Sequence, residues 1–94
     1  MDTKEAYAEK FMGQINQWKA EIEKMKGKAQ EASGDAKITY SDEIKSLEHK
    51  IGEAEKQLKD LREAGEDAWV ELRENTQKSW DELTTRFKEA EVEH

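Results

Sequence analysis

Three parts of the chain carry side chains of the kind that can do chemistry. The first is Glu91-Val92-Glu93-His94, which spells Glu-x-x-His. Two copies of that spacing, on facing helices of a four-helix bundle, hold a di-iron centre because residues i and i+3 point inward together. Here the run occurs once, at the end of the sequence. Val92-Glu93-His94 also match the start of a vector-derived histidine tag and are given no function. The second is His49. It falls near the opposite side of its helical stretch from the apolar stripe and reads as a solvent-facing imidazole. The third is the acidic C-terminal third, where residues 65–94 hold nine acidic and four basic side chains. Carboxylates scattered along a helix do not form an oxygen cage, and the spacing of a calcium-binding loop is absent. They read as a solvated face.

Other reactive constellations are missing. There is no glycine-rich phosphate loop, no Ser/His/Asp set supported by local spacing and no zinc-type spacing. With no cysteine there is no disulfide, thiol nucleophile or thiolate metal site. The sequence therefore predicts no catalytic residue, no cofactor and no metal, and a protein that is not an enzyme. The net charge of −7 repels phosphate backbones, which argues against nucleic acid. No apolar run approaches the roughly 20 residues of a membrane span, and the first residues lack the basic and apolar regions of a secretory signal. A cytoplasmic protein is the expectation.

Apolar chemistry remains. Trp69, Leu72, Trp80, Leu83 and Phe87 share one helical face and are the expected partner contacts if that segment can detach. Val70 lies about 100° from Trp69 and extends the face; Met12 is likewise off its stripe.

The elements that position these residues follow from periodicity. Proline is absent, 41% of residues are charged and 34% are hydrophobic, a composition of long helices and coiled coils. From Phe11 through Ile15, Trp18, Ile22, Met25 and Ala29 to Ala32, apolar positions alternate four and three, and Tyr7 precedes them. Tyr40, Ile44, Leu47, Ile51, Ala54, Leu58 and Leu61 repeat the pattern, and Trp69, Leu72, Thr76, Trp80, Leu83, Phe87 and Ala90 form a third stripe. Charged pairs at i,i+4 flank them: Glu55 with Lys59, Glu74 with Lys78, Glu82 with Arg86. Asp2 with Glu5 resembles a capping box.

Two similar stretches punctuate the stripes: EASGDAK from Glu31 and EAGEDAW from Glu63. Gly34 before Asp35 reads as a C′ glycine followed by an N-cap aspartate, and Gly65 before Glu66-Asp67 reads similarly. Ile38-Thr39-Tyr40 are mediocre helix formers and Ser41-Asp42-Glu43 offers a second N-cap, so a loop fits anywhere within 33–41. Against both breaks, the stripe continues: 29, 32, 36, 40, 44 is a stutter, and 58, 61, 65, 68, 72, 76, 80 holds register. A lone helix cannot bury its stripe, whereas three segments in one chain can. The expected architecture is all-α: an antiparallel three-helix bundle in one domain over 1–94, with helices at about 3–32, 36–64 and 67–91. The alternative is a long helical hairpin or continuous helix forming an oligomeric coiled coil. Monomer and dimer both stay open.

Asp67-Ala68-Trp69, Glu71-Leu72, Trp80-Asp81-Glu82-Leu83 and Phe87, with Ala36-Lys37 and Tyr40 before Ile44-x-x-Leu47, resemble a family of small bacterial coiled-coil proteins described as stress-response proteins. The resemblance covers residues 4–90. It implies a small helical protein expressed under stress and supplies no catalytic residues. Members of such families often have alanine where this chain has Gly34. The function expected is a helical interaction or scaffold protein, stress-associated, which packs a helix face on a protein partner or on itself. The alternative is an amphipathic protein coating lipid or hydrophobic granules.

Overall fold

A computed structural model describes residues 3–93; Asp2 of the expected capping box and the side chains of the Glu91–His94 run lie outside what it describes. Three helices follow one another: α1 (Thr3–Glu31), α2 (Asp35–Glu63) and α3 (Glu66–Glu93). Each is long enough to run about 43 Å, and the whole measures 51 × 19 × 19 Å. Short connections force neighbours antiparallel, so the chain is an up-down-up three-helix bundle.

The core is the set of stripes. Ala8, Phe11, Ile15, Trp18, Ile22, Met25 and Ala29 of α1 are buried, as are Ile44, Leu47, Ile51, Ala54, Leu58 and Leu61 of α2. On α3, Thr76, Leu83, Phe87 and Ala90 are buried. Coverage of the α1 and α2 stripes thins along the bundle. Phe11 and Leu61, at one end, have no exposed surface; Met25, Ala29 and Ala90, at the other, keep 8–9%.

α1 and α2 are the closest pair. Their flanks are joined at heptad intervals: Met12 Sδ accepts from Arg62 Nη2 at 3.8 Å, Lys19 Nζ meets Glu55 Oε2 at 3.0 Å, and Lys26 Nζ meets Glu48 Oε2 at 3.5 Å. α1 and α3 meet differently, through rings. Trp80 lies 5.0 Å from Phe11 and 5.9 Å from Tyr7, and Trp18 stacks on Phe87 at 5.7 Å with 6° between planes. Large side chains fill this interface, so few backbone positions come close. On the α2–α3 flank, Lys50 Nζ reaches Glu82 Oε1 at 2.6 Å and Arg86 Nη1 donates to Ser46 Oγ at 3.2 Å.

The junctions narrow the range that the sequence left open. The first turn is confined to residues 32–34, and α2 begins at Asp35, with Ile38, Thr39 and Tyr40 already helical. Their weak propensity differs from that of good helix formers by only a few tenths of a kcal/mol, and Thr39 Oγ1 satisfies itself on the Asp35 carbonyl at 3.0 Å. Gly34 takes the N-cap place assigned to Asp35, with no side-chain cap, and its φ of 62° is the positive value a glycine supplies. Gly65 does not share it: Gly34 is the only described residue with positive φ. At the second junction Ala64, with φ −72° and ψ 144°, makes the bend in extended backbone, and Lys4 Nζ donates to its carbonyl at 2.9 Å.

Two flank pairs are also redirected. Glu55 bridges to Lys19 of α1 rather than to Lys59. Glu82 pairs with Arg86 at 3.9 Å as expected, but holds Lys50 more closely.

Candidate functional site

Since the sequence offers apolar rather than reactive chemistry, the candidate site is the aromatic face of α3. Its heptad line runs through Trp69, Arg73, Thr76, Trp80, Leu83, Phe87 and Ala90. The bundle splits this face in two. Leu83 and Phe87, in the C-terminal half, are core residues with 2% and 6% of their surface exposed. Trp69, Leu72 and Trp80 are partly buried and pack against the core. Val70 is 46% exposed. The six residues therefore do not form one accessible patch. Trp69, Val70 and Leu72 share the N-terminal turns of α3; Trp80 is half-enclosed by Tyr7 and Phe11; Leu83 and Phe87 are reachable only if α3 leaves. A core in which all three tryptophans are equally sunk is not what forms, because Trp69 sits in the first turn of α3, at the end of the bundle.

Sequence reasoning missed the polar part of this region. Arg73 occupies a core-line position where the heptad calls for an apolar residue. It lies over the Trp69 ring, 5.2 Å from the centroid, and shields the ring face by a cation–π contact. Tyr7 Oη donates to Gln77 Oε1 at 2.9 Å, and Gln77 Nε2 donates to Asp81 Oδ1 at 3.0 Å. Burial raises the Tyr7 phenol above its ordinary value, Arg73 opposes the rise and Asp81 adds to it. The signal for Arg73 was present: strict heptad spacing from Thr76 lands on it, and not on Leu72.

The remaining ionisable groups behave as a solvated surface. His49 is exposed and pairs with Glu53 at 3.1 Å. Glu23, followed by Glu48, holds the Lys26 ammonium above its ordinary value, and the hydrogen bond from Lys50 holds Glu82 below its own. Among the described residues no group of three His, Asp or Glu side chains could hold a metal ion. No helix is long and apolar enough to cross a membrane, again among the described residues. The clefts between helices are open and largely charged, as where Lys4, Glu5, Glu9 and Arg62 line the α1–α2 flank. Among the described residues, Met12 and Ile38 are, with Val70, the exposed large apolar side chains.

No protein-family model, curated protein or solved structure matches this chain.

Proposed function

We propose that the chain is a non-enzymatic helical interaction or scaffold protein that works by packing a helix face against another protein. The observation that carries this reading is the unfinished burial of the first turns of α3. There Trp69 and Leu72 give the core only part of their surface, and Val70 stands exposed beside them. An aromatic anchor next to an exposed valine, rimmed by Glu66, Asp67, Glu71 and Glu74, has the make-up of an interface: an apolar centre within a polar margin. Association with stress rests on the family resemblance of the sequence and belongs to the proposal.

The test is cross-linked capture from stressed cells with the wild-type chain and with Val70→Glu as bait. Val70 is exposed, so the bundle should melt unchanged while a genuine partner is lost by tenfold or more. A strictly monomeric chain that retains no protein, or a partner held equally by Val70→Glu, would remove the proposal.

The ring-built contact between α1 and α3 favours a second reading. Released as a unit, α3 would show Trp80, Leu83 and Phe87 as one apolar face able to coat lipid or a hydrophobic granule. Its acidic polar face directs it toward uncharged surfaces. Co-sedimentation with zwitterionic vesicles, with tryptophan emission followed, decides this; emission unchanged at high lipid rules it out.

A further inference from the structure

The two junctions of the bundle differ in kind. At the first, Gly34 holds φ at 62°, and a helix could run through only if that torsion changed sign and the stripe absorbed a stutter. The second consists of Ala64 and Gly65 alone. Ala64 already has a helical φ of −72°, and chiefly its ψ of 144° departs from helix. No residue there has positive φ. A Cβ added at Gly65 would meet nothing within 4 Å. Helical spacing continues across the break, through Leu58, Leu61, Gly65, Ala68, Leu72 and Thr76. The carbonyl that the break strands at Ala64 is taken up by Lys4.

We propose that α3 exchanges between two copies of this chain. Residues 64–65 become helical, α2 and α3 join into one helix, and the α3 of each copy occupies in the other the place its own α3 holds here. The occupant of the vacated face is fixed by what already covers it. Trp80 on Phe11, Phe87 on Trp18, Lys50 with Glu82 and Tyr7 with Gln77 would all re-form between copies, so the exchange gives up none of these contacts. α3 is the element free to move. α1 and α2 are the closest pair and are joined by the glycine turn, while the backbone of α3 rarely approaches α1. A helix made of α2 (29 residues), the linker and α3 (28 residues) would span about 90 Å, against the 51 Å long axis of the single bundle.

Light scattering coupled to size exclusion, from micromolar to millimolar chain, with small-angle scattering on each peak, tests this. Wild type should show a concentration-dependent dimer with a maximum dimension of about 90 Å or more. Gly65→Ala should lower the dimer dissociation constant about thirtyfold. Alanine gains roughly fivefold over glycine per chain inside a helix, twice per dimer, and caps a helix less well in the monomer. Lys4→Met, which removes the cation from the stranded carbonyl, should shift the equilibrium the same way. Glu66→Pro should stay monomeric with unchanged helicity, because proline is accepted at the first helical position but breaks a continuous helix. A Gly65→Ala chain monomeric throughout the series would overturn the proposal, as would a dimer that survives Glu66→Pro or keeps a compact maximum dimension.

Discussion

Truncating Phe11 to alanine should remove much of the stability of the bundle. The ring has no exposed surface and touches three others: Trp80 at 5.0 Å, Trp18 at 6.4 Å and Tyr7 at 6.5 Å between centroids. Deleting a buried phenylalanine costs about 3–5 kcal/mol when the surroundings cannot collapse. Each ring pair adds about 0.5–1.5 kcal/mol beyond area alone, which places Phe11 near the top of that range. A single domain of this size has on the order of 5–14 kcal/mol in total. At about 4–8 °C per kcal/mol, the melting temperature should fall by roughly 20 °C or more. Urea titration followed by far-ultraviolet circular dichroism measures it: the midpoint should drop with the slope unchanged. Phe87→Ala, which removes the stack on Trp18 at the more open end, should cost less. Ile38→Ala is the control, because Ile38 is 62% exposed and should move stability by under about 0.5 kcal/mol. A Phe11→Ala loss below about 1 kcal/mol at constant slope would mean that the rings are not the joint between α1 and α3.

Gln57 Oε1 is buried with no hydrogen-bond partner, so Gln57→Leu should stabilise the bundle by about 1 kcal/mol in the same titration. Burial raises the Tyr7 phenol above 10.0, so the folded state favours its neutral form. That contribution is complete below pH 10 and is lost as pH rises through the raised value; Tyr7→Phe should flatten the alkaline fall, with tyrosinate absorbance as the direct check. The Glu82 carboxyl is held below 4.5, chiefly by Lys50. Its contribution is therefore present above pH 4.5 and fades as pH falls through the lowered value, a dependence that Glu82→Gln should remove. Hydrogen exchange should be slowest around Phe11 and Leu61 and faster around Met25, Ala29 and Ala90, following the thinning of the core; uniform protection along the helices would contradict that gradient.

The bundle was legible because its stripes are strict. Alternating four- and three-residue spacing from Phe11 to Met25 and from Ile44 to Leu61 marks one apolar face on each helix, and those side chains are the ones inside. Ala8 is also buried but escaped notice, since a single methyl gives little hydropathy signal. The turns were less legible. Propensity left room for a loop anywhere within 33–41, but the packing of Tyr40 against the core and the burial of Ile44 in it outweigh a few tenths of a kcal/mol per residue. The two similar stretches also folded differently: Ser33 before Gly34 adds a residue that Gly65 lacks, so the first turn needs a reversed torsion and the second only extended backbone. At the candidate site the residue types were visible and their depth was not. Which of Trp69, Trp80 and Phe87 is enclosed depends on where α1 and α3 end relative to each other, and that register is set by Tyr7, Trp18 and Gln77 across a sequence distance no local pattern spans.

The turn at Gly34 has a stereochemical consequence. Its φ of 62° and ψ of −137° lie where an L-residue is badly strained. Inverting both signs lands in the polyproline region, where L-residues sit with ease. The position is therefore one of mirror handedness: the backbone there has the shape natural to a D-amino acid. A chain made by chemical synthesis with D-alanine at position 34 should fold to the same hairpin and gain about 0.4–1 kcal/mol by narrowing the unfolded ensemble. The L-alanine version, identical in mass and composition, should lose stability. The difference between the two enantiomers would measure, at one α-carbon, how firmly α1 and α2 are turned upon each other.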